Sequence, residues 1–161
     1  MENRKINFEF EVYDSLSDLS DEDAALFKEA KNISKLAYAP YSQFKVGALA
    51  RLTNGNVIAG SNQENASYPV GICAERVLLS TASSVYPGIP IDCIAITYRN
   101  DLGKSNRPIT PCGICRQSLV EYASRMNHPI RLILGGMEGK IFIIPNVEML
   151  LPLGFSGADM K

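Results

Sequence analysis

Apolar and polar positions along the chain follow two rhythms, one helical and one alternating, and together they outline the fold. Between Glu22 and Tyr38 the apolar residues Ala25, Leu26, Ala30, Ile33, Leu36 and Ala37 recur at helical spacing. Ser20 or Asp21 can cap that helix, and Pro40 cannot continue it. Phe44 to Leu52 and Asn56 to Gly60 are β-rich runs on either side of Thr53-Asn54-Gly55-Asn56, whose Asn-Gly step predicts an antiparallel hairpin. The polar stretch Ser61 to Pro69 leads into a second helix, Cys73 to about Val85, with Ala74, Val77, Leu78 and Thr81 facing inward. Ile91 to Tyr98, dense in β-branched residues, predicts a central strand. A polar loop from Asn100 to Thr110 and then Pro111 precede a third helix, Cys112 to about Arg125. Ile130 to Leu134 and Lys140 to Ile144 read as strands across a glycine-rich turn, and Val147 to Leu151 as a short helix before Pro152. The first twenty residues, with alternating Ile6, Phe8, Phe10 and Val12, read as a short edge strand or a loose arm.

This order of elements predicts an α/β protein with a mixed sheet of about five strands and helices on both faces. Right-handed crossovers through the second and third helices make the strands they connect parallel and bring both helix starts to one edge of the sheet. The 161 residues suit a single domain, 1–161, with residues 1–20 as an N-terminal arm. A net charge of −1 gives no general attraction to polyanions, which argues against a nucleic-acid partner and for a small neutral substrate. No apolar run approaches the length of a membrane span, and Met-Glu-Asn-Arg-Lys at the start lacks the apolar stretch of a secretory signal, so the expected location is cytoplasmic. In that setting four cysteines are metal ligands or reduced thiols before they are disulfides.

The candidate chemistry sits in Gly71-Ile72-Cys73-Ala74-Glu75-Arg76 and Pro111-Cys112-Gly113-Ile114-Cys115-Arg116-Gln117. Each places thiols where a helix begins, and the free N–H groups and positive dipole end there favour the thiolate that a metal requires. Cys112 and Cys115 share one first turn, and Cys73 completes a trio if its helix starts alongside. Three protein ligands on Zn²⁺ leave a fourth position for water, which distinguishes a catalytic from a structural site. Glu75, two positions past a ligand, can sit beside that water without binding the metal, as a general base must. Alone, the pair Cys112 and Cys115 fits a redox couple or half a structural zinc knot equally well. Cys93 can close a four-cysteine structural site, although inside Ile91-Asp92-Cys93-Ile94 a small buried apolar role is commoner. His128, beside Pro129 after a helix end, reads as a surface or capping group.

The joint pattern Cys-Ala-Glu-Arg and Pro-Cys-Gly-x-Cys-Arg-Gln resembles the zinc-dependent cytidine deaminases, in their small three-cysteine, homotetrameric branch, and the likeness runs from about Tyr38 to Phe155. The resemblance implies a three-layer α/β/α sandwich, one Zn²⁺ per subunit on Cys73, Cys112 and Cys115, and Glu75 as the catalytic proton carrier. It implies hydrolytic deamination of cytidine and deoxycytidine to the uridine forms with release of ammonia, a step of pyrimidine salvage. Arg76 matches an arginine whose guanidinium bonds the ligand sulfurs and offsets their charge. Arg116 and Gln117 belong to the same motif, with packing or supporting roles. Asn62 and Glu64, in Asn62-Gln63-Glu64-Asn65-Ala66, match a segment that holds the ribose 3′-hydroxyl. Phe44 matches a pocket phenylalanine, Ala74 lies within the substrate-binding motif, and Tyr68 and Phe155 match aromatics shared across subunits of a homotetramer. A deaminase of another aminopyrimidine nucleoside or nucleoside antibiotic is the nearest alternative. A non-catalytic zinc protein is the alternative from another class.

Overall fold

The computed structural model describes residues 1–160. Its strands are β1 (Glu11–Tyr13), β2 (Phe44–Leu52), β3 (Val57–Ser61), β4 (Ile91–Asn100), β5 (Arg131–Gly135) and β6 (Ile141–Ile144). Its α-helices are α1 (Asp21–Ile33), α2 (Ala74–Val85) and α3 (Gly113–Met126). One mixed sheet takes the order β1-β6-β5-β4-β2-β3. It has six strands where about five were expected. The sixth is the edge strand β1, whose Glu11, Val12 and Tyr13 pair antiparallel with Ile143, Phe142 and Ile141. Of the two readings of the arm, the edge strand holds for these three residues. Ile6, Phe8, Phe10 and Val12 stay exposed, with the Phe10 ring edge-on to Phe142 at 4.9 Å.

Alternation along β4 makes the three layers. Ile94 and Ile96 project into a core with Leu78, Leu79, Ala82, Leu119 and Ala123 from α2 and α3. Cys93 and Ala95 project the other way, against Leu26, Phe27 and Ala30 of α1. A strand covered on both faces reads as a continuous apolar run for this reason. α2 links β3 to β4, and α3 links β4 to the adjacent parallel strand β5. Because β2 is antiparallel to both β3 and β4, those two strands also run the same way, as the crossover expectation requires.

Helix details depart from the sequence pattern in instructive ways. Ser20 caps α1, its hydroxyl accepting from the Asp23 N–H at 3.2 Å. The helix ends at Ile33 and tightens into a 3₁₀ turn, Ser34–Leu36, instead of running to Tyr38. Leu36 and Ala25 are exposed, whereas Phe27 is fully buried and Asp23 is buried in a two-pronged ion pair with Arg131. On α2 the buried stripe is Ala74, Glu75, Leu78, Leu79 and Ala82, with Val77 and Thr81 only half-buried. The helix is turned by about one position from the expected face, which draws Glu75 inward.

Two glycines let helices approach the β2–β3 hairpin at backbone distance. A Cβ on Gly60 would lie 2.3 Å from the Ala74 carbonyl oxygen, and one on Gly47 would lie 2.4 Å from the Ala30 carbonyl oxygen on the opposite face. Gly60→Ala must push back the first turn of α2, and we expect denaturant unfolding to show a loss of about 1–3 kcal/mol. Unchanged stability would show that α2 shifts freely.

Candidate metal and catalytic site

Cys73 and Cys112 occupy the N-cap positions of α2 and α3, with extended backbones of φ −72°, ψ 153° and φ −68°, ψ 170°. The crossovers bring these two helix starts together, with Sγ of Cys73 3.8 Å from Sγ of Cys112 and Sγ of Cys112 3.5 Å from that of Cys115. All three sulfurs lie within 4.8 Å of one another. Tetrahedral zinc with Zn–S bonds of about 2.3 Å requires sulfurs about 3.8 Å apart, so the donors fit the metal in type and spacing. The Cys73 thiol is pulled down to about 6, first by hydrogen bonding with Cys115, whose own pKa is pushed up in return. Metal binding requires all three thiols to be deprotonated, so their protons would leave as the cation enters.

Glu75 is buried in the same first turn as Cys73. Loss of solvent raises its carboxyl pKa, opposed by its own backbone N–H and by the Cys115 thiol. A carboxylate kept out of water beside three thiols is a candidate for proton-transfer chemistry.

An open cavity of about 450 Å³, enough for a small organic molecule, adjoins the trio and is lined by Tyr41, Ser42, Asn62, Gln63, Glu64, Asn65, Tyr68, Gly71, Ile72 and Cys73. Gln63 fastens its loop by bridging to Tyr38 on one side and Ile72 on the other. Asn62 accepts from the Val46 N–H at 2.7 Å and donates to the Phe44 carbonyl at 2.9 Å, which clips the loop to β2. Glu64 takes the N–H groups of Tyr41 and Ser42 at 2.8 and 3.3 Å, both on Oε2. Hydrogen bonds from Ser42 hold its carboxyl below the ordinary carboxylate range. Tyr41 and Ser42 escaped the sequence reading, although the turn after Pro40 was their signal.

Other expected residues are dispersed. Phe44 does not line the cavity; its ring stacks on Tyr98 with centroids 4.7 Å apart. Ala74 is fully buried, Tyr68 packs edge-on to Tyr41, and Phe155 is exposed with its carbonyl accepting from Gln117 at 2.9 Å. The expected guanidinium–sulfur bonds of Arg76 are not formed among the described residues. Arg76 instead lines a groove between α2 and α3 with Ser80, Ser83, Glu121 and Arg125, because its position points the side chain around the helix from Glu75. Its positive charge still helps to lower the Cys73 pKa. Cys93 is fully buried among α1 residues, far from a ligand's role, and burial pushes its thiol up to about 12.

Three thiols at zinc spacing with a buried carboxylate beside them define a metal centre short of the four protein ligands of a closed structural site, on an α/β/α fold. The family model described as the cytidine and deoxycytidylate deaminase zinc-binding region matches residues 20–127, and the chain belongs to this family. It is similar to a cytidine deaminase of Halalkalibacterium halodurans, 41% identical over 84% of this chain and 96% of that protein. A cytidine deaminase of Sporosarcina psychrophila is 33% identical over 84% of this chain and 93% of its own length. Among solved structures, a cytidine deaminase from Burkholderia pseudomallei superposes with a TM-score of 0.72 at 36% identity, covering 85% of this chain and all of that one. No helix among the described residues is long and apolar enough to cross a membrane.

Thiol chemistry separates the trio from the core cysteine. In zinc-loaded native protein we expect no reaction with a thiol reagent; chelation then frees three thiols, and the fourth, Cys93, reacts only on unfolding. Cys93→Ala is expected to keep stoichiometric zinc, and zinc loss in that variant would place Cys93 among the ligands.

Proposed function

We propose that the protein catalyses hydrolytic deamination of cytidine and deoxycytidine, adding water and releasing ammonia to give uridine and deoxyuridine, as a step of pyrimidine salvage. The observation that carries this reading is Glu75, buried two residues after Cys73 in the turn that opens α2. Membership of the deaminase family and the cytidine deaminase relatives support it. Cys73, Cys112 and Cys115 would hold one zinc ion per chain, whose Lewis acidity supplies a water nucleophile at neutral pH. Glu75 would carry one proton of the attacking water to ring N3, making C4 electrophilic, and then the second, from the hydroxyl thereby placed on C4, to the departing amine, leaving a C4 carbonyl and ammonia. Arg76 contributes positive charge beside the thiolates.

Substrate orientation falls to the loop after β3. Both backbone bonds to Glu64 fall on Oε2, so Oε1 is left to accept from a sugar hydroxyl, and the second Nδ2 hydrogen of Asn62 is left to donate. A site that binds ribose in this way discriminates against the free base. Phe44 and Ala74 support the pocket from behind, Phe44 by accepting the Asn62 bond on its carbonyl and Ala74 within the turn that carries Glu75. Tyr68 and Phe155, both exposed in the single chain, serve a neighbouring subunit's site in a homotetramer with shared active sites. The chain works as one domain, with neither nucleic acid nor membrane as partner, and its four free thiols suit a reducing cytoplasm.

Glu75→Gln keeps size and hydrogen bonding but cannot carry a proton. We expect it to fold, bind zinc and bind cytidine, while ammonia release falls at least about a hundredfold. Deamination at the parent rate would remove Glu75 from the mechanism. An ammonia-release assay across cytidine, deoxycytidine, cytosine, dCMP and single-stranded DNA tests the substrate, and turnover of the two nucleosides alone is the expected result.

A further inference from the structure

Arg116 directly follows the ligand Cys115, yet its side chain reaches away from the sulfurs. Its Nε donates to the Pro111 carbonyl at 2.9 Å and its Nη2 to the Thr110 hydroxyl at 3.1 Å. Its Nη1 donates to the Leu150 carbonyl at 3.1 Å, at the end of the 3₁₀ turn Val147–Leu150. Thr110 and Pro111 have no other hydrogen-bond partner among the described residues. Upstream, the next anchor of this long loop is Ser105, whose carbonyl accepts from Met137 N–H at 2.7 Å. Cys112 itself is exposed and makes no side-chain cap bond, so the direction of its sulfur depends on the backbone that enters it.

We propose that Arg116 is the positioning residue of the zinc loop: it clamps Thr110 and Pro111 to the start of α3 and ties both to the C-terminal segment, thereby fixing where Sγ of Cys112 points. All three bonds have an ionised donor, which makes them roughly twice as strong as neutral ones. They border an apolar groove lined by Phe8, Phe10, Phe142, Met149 and Pro152, where partial exclusion of water strengthens the two part-buried carbonyl bonds further. The neighbouring Gln117 makes the parallel bond to the Phe155 carbonyl and touches only the tail. Arg116 therefore governs the metal and Gln117 does not. The proposal rests on the cysteine trio holding zinc and is independent of which substrate the site takes.

The test is the rate at which folded, zinc-loaded protein gives up its metal to a chromogenic chelator, measured well below the melting temperature. Arg116→Met keeps the apolar stem and removes all three bonds, and we expect release about ten to a hundredfold faster than the parent, the range found when groups that orient metal ligands are lost. Arg116→Lys should fall between the two, and Gln117→Ala should match the parent. Thr110→Val, at an exposed position, removes one acceptor without threatening the fold and should accelerate release by a smaller factor; it decides the matter if Arg116→Met does not fold. A merely structural brace would lower the melting temperature and leave release untouched. Parent-rate release from the folded Arg116 variants and from Thr110→Val, or acceleration by Gln117→Ala equal to theirs, would overturn the proposal. So would a parent protein that retains no zinc. Because nucleoside turnover is not read, failure of the cytidine assignment leaves this test intact.

Discussion

The meeting of two helix N-termini at one end of the sheet is the constraint on which the rest depends. α2 and α3 lie on the same face, each between parallel-running strands, and right-handed connection leaves their starts side by side. Each start offers free N–H groups and a positive dipole end, and each has a cysteine at its cap. Cysteine is a poor cap, and neither residue makes a side-chain cap bond. Local helix stability is given up at two points so that sulfur can occupy them, which makes sense only if a metal compensates.

From this arrangement the burial of Glu75 follows. A residue two positions beyond an N-cap lies on the same first turn, and the buried stripe of α2 draws that position inward. The cavity is walled largely by the loop that enters the helix, so one short stretch, from Asn62 to Glu75, supplies polar pocket-lining groups, a thiol of the zinc-spaced trio and the buried carboxylate. Their relative placement is set by local backbone, with few long-range errors to accumulate. Gln63 stiffens the stretch by pairing with Tyr38 and Ile72 at once.

Much of this was legible in the sequence because period and capping are local properties. The hairpin signal at Asn54-Gly55, the apolar run of β4 and the two cysteine motifs each depend on residues a few positions apart. Partners brought together from far along the chain were not legible. Asp23 meets Arg131 across 108 positions, and the Arg116 bond to Leu150 spans 34, so nothing in their neighbours betrays either contact. Side-chain direction was the other gap. Helical spacing admitted Ala25 and Leu36 to the core face, yet a change of helix phase and a tightened last turn put Phe27 there and left those two in solvent. β1 was ambiguous because three residues carry too little alternation to separate strand from arm.

The glycines of the β2–β3 hairpin have a meaning beyond stability. Gly60 lies opposite Ala48, and Gly47 opposite Ser61, so the two bare positions are neighbours in the ladder. At this spot the backbone of α1 presses on one side and that of α2 on the other. The hairpin acts as a spacer of fixed gauge. Any methyl added at Gly60 would need about 1 Å more clearance from the Ala74 carbonyl, and that carbonyl lies between Cys73 and Glu75 in the chain. Gly60 thus sets how closely the turn that carries Cys73 and Glu75 can approach the sheet, while Gly47 does the same for α1 on the other side. A fold that is free to vary its outer surface has almost no freedom in gauge there.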